Sequence, residues 1–391
     1  MLNVLTFSSL YPNAVQTNFG GFVERQTVRL AARGDVDLKV LAPVGMFLPI
    51  GPYAALTRVP ARGEQGGVEV FWPRFPLLPA IGWRFNPALA YRAARRVLHT
   101  LIADGFRPDV IDCEFFWPDG PAAVRLGRAF GIPVSIKARG SDIRLWGAKP
   151  AARRMMVEAA RAADGLLAVS ESLKADMAAM GIPPEKIRVH RTGIELDRFR
   201  PVERTPAKAA LGVSGPLLLA VGNLVALKRF DLVIGAAEAL PETTLLIAGE
   251  GRERRKLEAM IAERGLSQRV KLLGGVHHTD MPALMAAADV FVHAASSEGL
   301  ANVWVEALAS GTPVVTANVG AAAEVIDRPE AGTLIEDARA PVFAEAIRAL
   351  LAAPPAPDAV RASALRFDWQ TNTDTLHAHL LGLVSGAESK K

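Results

Sequence analysis

Short apolar segments alternate with amphipathic segments along the chain, and this alternation stops once and then restarts. The first series runs from Asn3–Phe7 to Ile187–His190, and the second runs from Leu217–Val221 to Gly332–Leu334. Near-continuous apolar strands bounded by glycine and proline are typical of a parallel sheet with helices on both faces. The intervening segments have the apolar spacing of amphipathic helices. The sequence therefore predicts an α/β protein with two Rossmann-like domains.

The two series are separated by Leu196–Gly215, a segment with many charges, several turn-forming residues and little periodicity. We interpret it as an interdomain linker and predict domains at residues 1–197 and 213–368. Residues 369–391 are predicted to form a C-terminal helix, which crosses back to the N-terminal domain, and a loose tail. A length of 391 residues fits two domains.

Composition narrows the setting in which such a chain works. Cys113 is the only cysteine, so no internal disulfide can form, as is usual in a reducing cytosol. The N-terminal residues have the pattern of a buried strand and not of a signal peptide, and no apolar run is long enough to span a membrane. We therefore expect a cytoplasmic location. Residues 1–200 contain 27 Lys and Arg against 18 Asp and Glu, and this basic half favours an anionic partner, such as a membrane surface or a phosphorylated acceptor. Arginine that is simply abundant on solvated helix faces is an equal alternative. Nucleic acid is not expected, since the charges are scattered and no nucleic-acid-binding module is present.

One segment of the second half carries two carboxylates beside a predicted phosphate-binding turn. Glu298 lies in a glycine loop after an apolar strand, and Glu306 lies in the helix that follows. A helix N-terminus offers N–H groups to an anion, and carboxylates accept hydrogen bonds from hydroxyls. A sugar nucleotide presents both a diphosphate and hydroxyls, and therefore fits this pattern. The backbone expected to face it belongs to Gly299, Leu300, Ala301 and Asn302.

Further motifs accompany this pair in the order found in one enzyme family. Gly222–Arg229, Ala248–Gly251 and Thr192–Phe199 resemble its lysine loop, its Gly-x-Gly turn and its interdomain hinge. In the first half, Pro12–Gln26 and Arg139–Ile143 resemble bacterial members that build exopolysaccharides or teichuronic-type polymers. Together with the two glutamates, these motifs make the chain similar to the retaining glycosyltransferases of family 4. That family has the GT-B fold, in which two Rossmann-like domains face each other across a cleft.

The resemblance implies a donor, either a UDP-sugar or a GDP-sugar, that is bound mostly by the second domain. It also implies retention of the anomeric configuration, without a metal or other cofactor. Lys228 is expected to neutralise the diphosphate, with Arg229 as a second candidate. Asn223 stands where the family commonly has an arginine, so one charge of the usual clamp is missing. Glu306 is expected to hold the ribose, and Glu298 the donor sugar.

Two glycine pairs are further candidates for diphosphate contacts, because glycine lets the main chain approach a ligand closely. Gly20 and Gly21 open a helix of the first domain, and Gly249 and Gly251 follow a strand of the second. Each pair is also consistent with an ordinary turn. The second pair lacks the third glycine of a dinucleotide fingerprint, so NAD binding is not predicted.

Three residues of the first domain are candidates for acceptor chemistry. Glu114 stands near the place where many relatives have a histidine that faces the donor sugar. It could orient or partly deprotonate an acceptor hydroxyl, or it could only position a sugar. Arg139 replaces the histidine of the family's His-Gly-x-Asp loop, and it either binds an acceptor phosphate or pairs with Asp142. Asp142 itself either binds acceptor hydroxyls or caps the turn.

Two patterns invite a metal site and are interpreted otherwise. Asp35-Val36-Asp37 precedes a predicted strand, whereas a metal-binding DxD motif follows one. His277 and His278 are adjacent, so their side chains point in different directions, and no third ligand has a suitable spacing. We assign both patterns to turns and predict no metal.

Residues 71–96 mix aromatics, prolines and arginines, a composition that suits a membrane interface. In that interpretation, Trp83, Arg95 and Arg96 contact anionic lipid. An acceptor-side loop packed on the first domain is an equal alternative.

These features predict a glycosyltransferase that moves a hexose or related sugar to a hydroxyl of a glycan or polyprenyl-linked acceptor. The predicted setting is surface polysaccharide biosynthesis at the inner face of the membrane. Two alternatives stay open. A GT-B sugar-nucleotide epimerase would use Glu114 for acid–base chemistry, and a non-catalytic sugar-nucleotide-binding protein would fit the departures at Asn223 and Glu114.

Overall fold

The structure, a computed structural model, describes residues 1–17, 19–47 and 51–388. The chain divides into two compact units. Unit 1 comprises Met1–Thr192 and Trp369–Lys391, and unit 2 comprises Gly193–Asp368.

Unit 1 is built on a sheet of eight described strands in the order β10-β9-β8-β7-β1-β2-β5-β4. Neighbouring strands are parallel except for the antiparallel pair at the β4 edge, and β3 and β6 form a separate parallel pair. The order changes direction between β1 and β7, so the loops after these two strands diverge. The strands are β1 (Leu2–Phe7), β2 (Val36–Leu41), β3 (Val44–Met46), β4 (Arg62–Gln65), β5 (Val68–Phe71), β6 (Arg74–Pro76), β7 (Val110–Cys113), β8 (Val134–Ala138), β9 (Gly165–Ala168) and β10 (Ile187–Val189).

Two helices of unit 1 end or begin at a residue with recognisable capping chemistry. Ser170 accepts a hydrogen bond from the N–H of Leu173 at 3.0 Å and so caps the last helix of this set. Gly131 ends another in the left-handed conformation, which a glycine adopts without strain. The helices are α1 (Gly21–Ala31), α2 (Asn86–Ala103), α3 (Asp119–Phe130), α4 (Pro150–Ala162) and α5 (Glu171–Ala179).

Unit 2 has a parallel sheet of six described strands in the order β13-β12-β11-β14-β15-β16. The strand order reverses between β11 and β14. The strands are β11 (Leu217–Val221), β12 (Thr244–Ala248), β13 (Val270–Gly274), β14 (Val290–His293), β15 (Val314–Ala317) and β16 (Gly332–Ile335). The helices are α6 (Arg204–Ala210), α7 (Phe230–Glu238), α8 (Arg254–Glu263), α9 (Met281–Ala287), α10 (Asn302–Ala309), α11 (Ala322–Val325), α12 (Ala340–Ala352) and α13 (Pro357–Arg361).

The last helix, α14 (Trp369–Glu388), returns to unit 1, where it contacts α1, β7 and β8. His379 of this helix lies 2.9 Å from the hydroxyl of Ser135 in β8. The predicted helix and its return to the first domain are therefore confirmed. The prediction of two α/β domains, each with a mainly parallel sheet, is confirmed as well.

The predicted linker and the predicted end of the first domain at residue 197 need correction. Ile194 already pairs with Asp368 in unit 2, and the Phe199 side chain is fully buried in the core of that unit. The segment also forms α6, which packs against α9. Its polar composition hid these anchors, because two or three buried side chains suffice to fix a short irregular segment. The change of unit falls between Thr192 and Gly193.

Candidate functional site

The carboxyl ends of β11 and β14 lie where the strand order of unit 2 reverses. In an open α/β sheet, ligands bind where the strand order changes direction, because the loops diverge there. The loop after β11 leads to Lys228, and the loop after β14 leads to Glu298. A hydrogen bond of 2.9 Å from the N–H of Ser296 to the carbonyl of Leu227 joins the two loops. The fold thus brings together two candidate residues that are far apart in sequence.

Lys228 and Glu298 form an ion pair between Nζ and Oε1, with side chains that are 19% and 15% exposed. Burial alone would raise the pKa of Glu298, but the neighbouring His293 and Lys228 lower it to about 2. Glu298 is therefore a carboxylate at neutral pH. No hydrogen bond reaches its Oε2 from the part of the chain that the structure describes. That oxygen is an open acceptor for a ligand hydroxyl.

His293 and Trp304 stand behind this pair and were missed by the sequence analysis. The indole N–H of Trp304 donates to Nδ1 of His293 at 3.1 Å, so the proton of the neutral ring lies on Nε2. Nε2 lies 3.3 Å from Oε1 of Glu298, so its N–H dipole favours the charged carboxylate, although the two groups lack the alignment of a formed hydrogen bond. Burial lowers the pKa of His293. No local pattern could have indicated the pair, since one residue ends a strand and the other sits inside a helix.

Glu306 projects from α10 and is almost buried, with 5% of its surface exposed. Within the described chain, its carboxylate accepts no side-chain or backbone hydrogen bond, and its nearest basic group is Nε2 of His278 at 3.6 Å. His278 also lies 3.7 Å from the Glu195 carboxylate. His278 belongs to the loop that the sequence analysis assigned to a turn, and the fold places it beside the proposed ribose ligand. An enclosed carboxylate with free acceptor positions suits a pair of hydroxyl donors.

The glycines after β12 are explained by the packing of two backbone segments. A Cβ atom at Gly249 would collide with the carbonyl oxygen of Gly222, and one at Gly251 would collide with that of Leu224. The turn after β12 can therefore lie against the loop after β11 only with glycine at these positions. Their contact with a diphosphate stays a prediction.

Two other candidates of this loop lie apart from the ion pair. Asn223 is exposed. Arg229 pairs with Asp231, with its guanidinium 3.0 Å from the carboxylate. The structure therefore leaves Lys228 as the cation at Glu298 and directs Arg229 elsewhere.

The loop from Gly299 to Ala301 connects Glu298 to the first turn of α10. The carbonyl of Gly299 accepts a hydrogen bond from the N–H of Ala321 at 2.9 Å, which holds the loop in place. Because α10 begins at Asn302, the predicted N–H cradle of Gly299, Leu300, Ala301 and Asn302 does lie at a helix N-terminus.

The candidates in unit 1 form a different arrangement, at the point where the loops after β1 and β7 diverge. Glu114 is fully buried, and its two carboxylate oxygens are held by Arg139 and by the side-chain amide of Gln26. Burial would raise the pKa of Glu114, but Arg139 and Lys137 lower it to about 2. A carboxylate with such a low pKa and both oxygens engaged is a weak base. The predicted role of Glu114 as an acceptor base has no support in this geometry.

Lys137 and His190, on the core side of Gln26, hold this arrangement in place. The Lys137 ammonium is fully buried and donates to Oε1 of Gln26 and to Nδ1 of His190, both at 2.6 Å. Nε2 of His190 donates to the backbone carbonyl of Asn372 in α14 at 2.9 Å, which fixes the tautomer of this ring. Since Oε1 of Gln26 accepts from Lys137, its amide nitrogen must face Glu114. The network therefore sets the orientation of the Glu114 carboxylate.

The remaining candidates of unit 1 have structural roles. Asp142 is buried, and its carboxylate accepts hydrogen bonds from the backbone N–H groups of Phe116, Arg139, Gly140 and Ile143. This corrects the acceptor-binding interpretation in favour of the turn cap, because no carboxylate position is turned to solvent. Gly20 precedes α1 with a φ of 73°, and a Cβ atom there would strike the Leu10 carbonyl. Gly21 begins that helix, and the contact of this glycine pair with a diphosphate stays a prediction.

The aromatic residues of segment 71–96 are mostly packing residues. Trp72 and Phe75 are buried, and Trp83 packs against Trp117 and Trp146 with ring centroids 5.9 and 5.7 Å apart. Trp83 is therefore a poor candidate for lipid contact. The large apolar side chains that are exposed in the described part of this segment are Leu78 and Phe85, at 47% and 54%.

The two patterns that resembled metal sites have other partners. Asp35 pairs with Arg33 at 3.1 Å, and Nδ1 of His277 lies 2.7 Å from the Thr279 hydroxyl. Within residues 1–17, 19–47 and 51–388, no three His, Cys, Asp or Glu side chains are grouped so as to hold a metal ion. The described helices include none whose length and apolarity would let it traverse a bilayer.

Two family models match consecutive parts of the chain. Residues 20–193 match the glycosyl transferase 4-like domain, and residues 202–366 match the glycosyl transferases group 1 family. D-inositol 3-phosphate glycosyltransferases from Mycobacterium bovis and Mycobacterium tuberculosis are 36% identical over 211 residues. This match covers 51% of the chain and 44% of either relative, so the chain is matched to less than half of their length.

Solved structures share the fold over nearly the whole chain. Anabaena Alr3699/HepE in complex with UDP superposes with a TM-score of 0.76 at 20% identity, covering 98% of this chain and 100% of that one. The sucrose-phosphate synthase of Thermosynechococcus elongatus superposes with a TM-score of 0.79 at 18% identity, covering 99% and 100%. These neighbours confirm GT-B, a fold with two Rossmann-like domains, as the fold class.

Proposed function

We propose that this chain, which has the two domains of a GT-B glycosyltransferase, transfers a sugar from a nucleoside diphosphate sugar to a hydroxyl acceptor. The observation that carries the proposal is the ion pair of Lys228 with Glu298, which lies just before α10, the helix that also carries Glu306. A cation, a helix N-terminus and two carboxylates with open oxygens match the diphosphate, the sugar and the ribose of such a donor.

Each group has a distinct part in the proposed reaction. Lys228 and the first-turn N–H groups of α10 stabilise the charge that grows on the leaving nucleotide. Oε2 of Glu298 accepts a hydroxyl of the transferred sugar, and Glu306 accepts the ribose hydroxyls. The proposed transfer retains the anomeric configuration and needs no metal or cofactor, as the family resemblance implies.

The acceptor is the least constrained part of the proposal. Glu114 is enclosed, so acceptor activation does not depend on that carboxylate in our proposal. The curated relatives are named for inositol 3-phosphate, whereas the motifs of the first domain resemble enzymes of surface polysaccharides. Both a phosphorylated polyol and a polyprenyl-linked glycan are therefore acceptors to test.

The activity is tested by incubating the protein with UDP- and GDP-sugars and measuring nucleotide release. The arms contain no acceptor, inositol 3-phosphate or a membrane extract. We expect release that depends on one donor and one acceptor and persists in EDTA. The anomeric configuration of the product is then read by NMR. Nucleotide binding without release in any arm would favour a sugar-nucleotide-binding protein, and conversion of the donor to an epimer would favour an epimerase.

A cytoplasmic membrane surface is the proposed place of work, because residues 70–103 contain no acidic residue. This stretch carries Arg74, Arg84, Arg92, Arg95 and Arg96 beside the exposed Phe85. Basic and apolar side chains on one surface favour anionic lipid.

Vesicles of phosphatidylglycerol and of phosphatidylcholine test the membrane proposal by co-sedimentation. We expect binding to the anionic vesicles only, and loss of that binding when Phe85, Arg95 and Arg96 are replaced by serine. The matched control is Leu365→Ser, since Leu365 is as exposed but lies in unit 2. Equal binding of both variants would contradict the proposal.

A further inference from the structure

Lys228 is committed to Glu298 in the structure, yet the proposed function requires this cation at the diphosphate of the donor. Its ammonium forms the ion pair with Oε1 of Glu298. One ammonium cannot fully compensate both a buried carboxylate and a diphosphate. When a bound sugar nucleotide attracts Lys228, the mostly enclosed Glu298 must accept a hydrogen bond from another group or move out of its position.

His293 is placed to be that donor. Its ring is 3% exposed, and its Nε2 lies 3.3 Å from the same oxygen that Lys228 holds. Nε2 has no hydrogen-bond partner within the described chain. A buried N–H without a partner is costly, so its position needs an explanation.

Trp304 prevents the His293 ring from directing a lone pair of Nε2 at Glu298. Its indole is fully buried and can only donate, and it donates to Nδ1 of His293 at 3.1 Å. The neutral ring must therefore carry its hydrogen on Nε2, on the side of Glu298. Trp304 belongs to α10, the same helix that carries Glu306 and the proposed diphosphate cradle, so the ring and the donor site share one rigid support.

We propose that His293, fixed by Trp304, is a positioning residue that takes over Oε1 of Glu298 when Lys228 turns to the diphosphate. Glu298 thereby stays ionised and keeps its open oxygen directed at the sugar. In the empty site Lys228 holds Glu298, and in the loaded site His293 holds it. This inference rests on the proposed function for the role of Lys228, but the ring state of His293 is independent of it.

The first test uses the full chain without nucleotide. Nitrogen-15 NMR of the histidine rings should show His293 as the neutral Nε2–H tautomer, and Trp304→Phe should abolish that preference. Lys228→Met should make the Nε2–H of His293 bond to Glu298 without any ligand, with a downfield proton shift like the one UDP produces in the wild type. A purely structural histidine would not respond to Lys228→Met. A charged ring or an Nδ1–H tautomer in the wild type would overturn the inference.

The second test measures the affinity for UDP, UDP-glucose and GDP-mannose by calorimetry. His293→Leu removes the donor, and we expect the affinity for the bound nucleotide sugar to fall about tenfold. His293→Gln keeps an acceptor for Trp304 and a donor for Glu298, and should stay within about twofold of the wild type.

Equal affinity in the leucine variant would overturn the inference even if that variant is less stable, and so would an equal loss in the glutamine variant that keeps its fold. If the wild type binds none of the three probes, the proposed function fails instead, and the NMR test still decides the ring state and its response to Lys228.

Discussion

Each unit holds a glutamate against a cation at the point where its sheet changes direction, but the two arrangements differ in what they leave free. In unit 1, Glu114 is enclosed and both its oxygens have partners, Arg139 and Gln26. In unit 2, Glu298 shares one oxygen with Lys228 and keeps the other open. The pKa of either carboxyl is about 2, so acidity alone does not distinguish them.

The difference lies in the layer behind each pair. In the core of unit 1, Lys137 donates to Gln26 and to His190, and Arg139 pairs with Glu114, so the charges there are compensated by the protein itself. Behind Glu298 stands a single neutral imidazole. A site compensated by the protein needs no ligand, whereas a site with an open acceptor and a transferable cation gains from one. We therefore expect mutations in unit 1 to act on stability and those in unit 2 to act on binding.

The largest effect is expected from Arg139→Met. Glu114 would remain buried without its main cation, and breaking such a pair costs about 3–5 kcal/mol of unfolding free energy. Urea denaturation measures this loss. The control is the double variant Glu114→Gln with Arg139→Met, which should recover part of it because no charge is left behind. A loss below about 1 kcal/mol for Arg139→Met would remove the contrast between the units.

Lys228→Met is expected to reverse that pattern. Removing a group that stabilises developing charge costs about 100-fold in kcat/KM for the nucleotide sugar, while the unfolding free energy should fall less than in Arg139→Met, because His293 remains beside Glu298 when the lysine is lost. Arg229→Met is the matched control, because Arg229 is paired with Asp231. Transfer by Lys228→Met at the wild-type rate would contradict the assignment of this lysine.

Glu306→Gln should weaken nucleotide binding about tenfold, since one charged hydrogen bond to the ribose is lost. Calorimetry with the nucleotide and with its 2′-deoxy analogue separates the cause. The wild type should lose affinity for the analogue, and the variant should show little further loss. An undiminished loss in the variant would place the ribose elsewhere.

The smallest expected effect is on the pH dependence of the unfolding free energy, and it comes from unit 1 alone. Burial, together with the nearby Arg188 and Lys137, lowers the pKa of His379 to about 4. The unfolded chain therefore binds one more proton between pH 6.5 and 4, so stability is present above about pH 6.5 and is lost as the pH falls toward 4. His379→Gln should reduce the loss between pH 7.5 and 5.5 by about 1 kcal/mol. The exposed His99→Gln should follow the wild type in urea titrations, and equal curves for both variants would exclude this role.

The local patterns of the sequence were sufficient to predict the two α/β domains. Apolar runs and amphipathic spacing located the central strands and most helices, because these elements are determined by burial on one or two faces. Residues such as Arg62–Gln65 in β4 escaped prediction, since an exposed edge strand needs no apolar pattern. The boundary after Thr192 escaped for the opposite reason, because the polar segment that follows is fixed by a few buried side chains.

The candidate site was predictable only in part. Glu298, Glu306 and Lys228 were found because each follows a strand in a recognisable loop or helix, and strand ends of a parallel sheet meet at one edge. His293, Trp304 and His278 carry no such signal, since their relevance comes from partners in other elements.

The sequence by itself determined two α/β domains, the loops at the carboxyl ends of their strands and the identity of the charged groups in those loops. The tertiary structure decided which charges are already compensated: it enclosed Glu114 and Asp142 and left Glu298 and Glu306 with open oxygens. The physical reason is that periodicity reports the face on which a residue lies, whereas the chemistry of a carboxylate depends on the donors that distant segments bring to it.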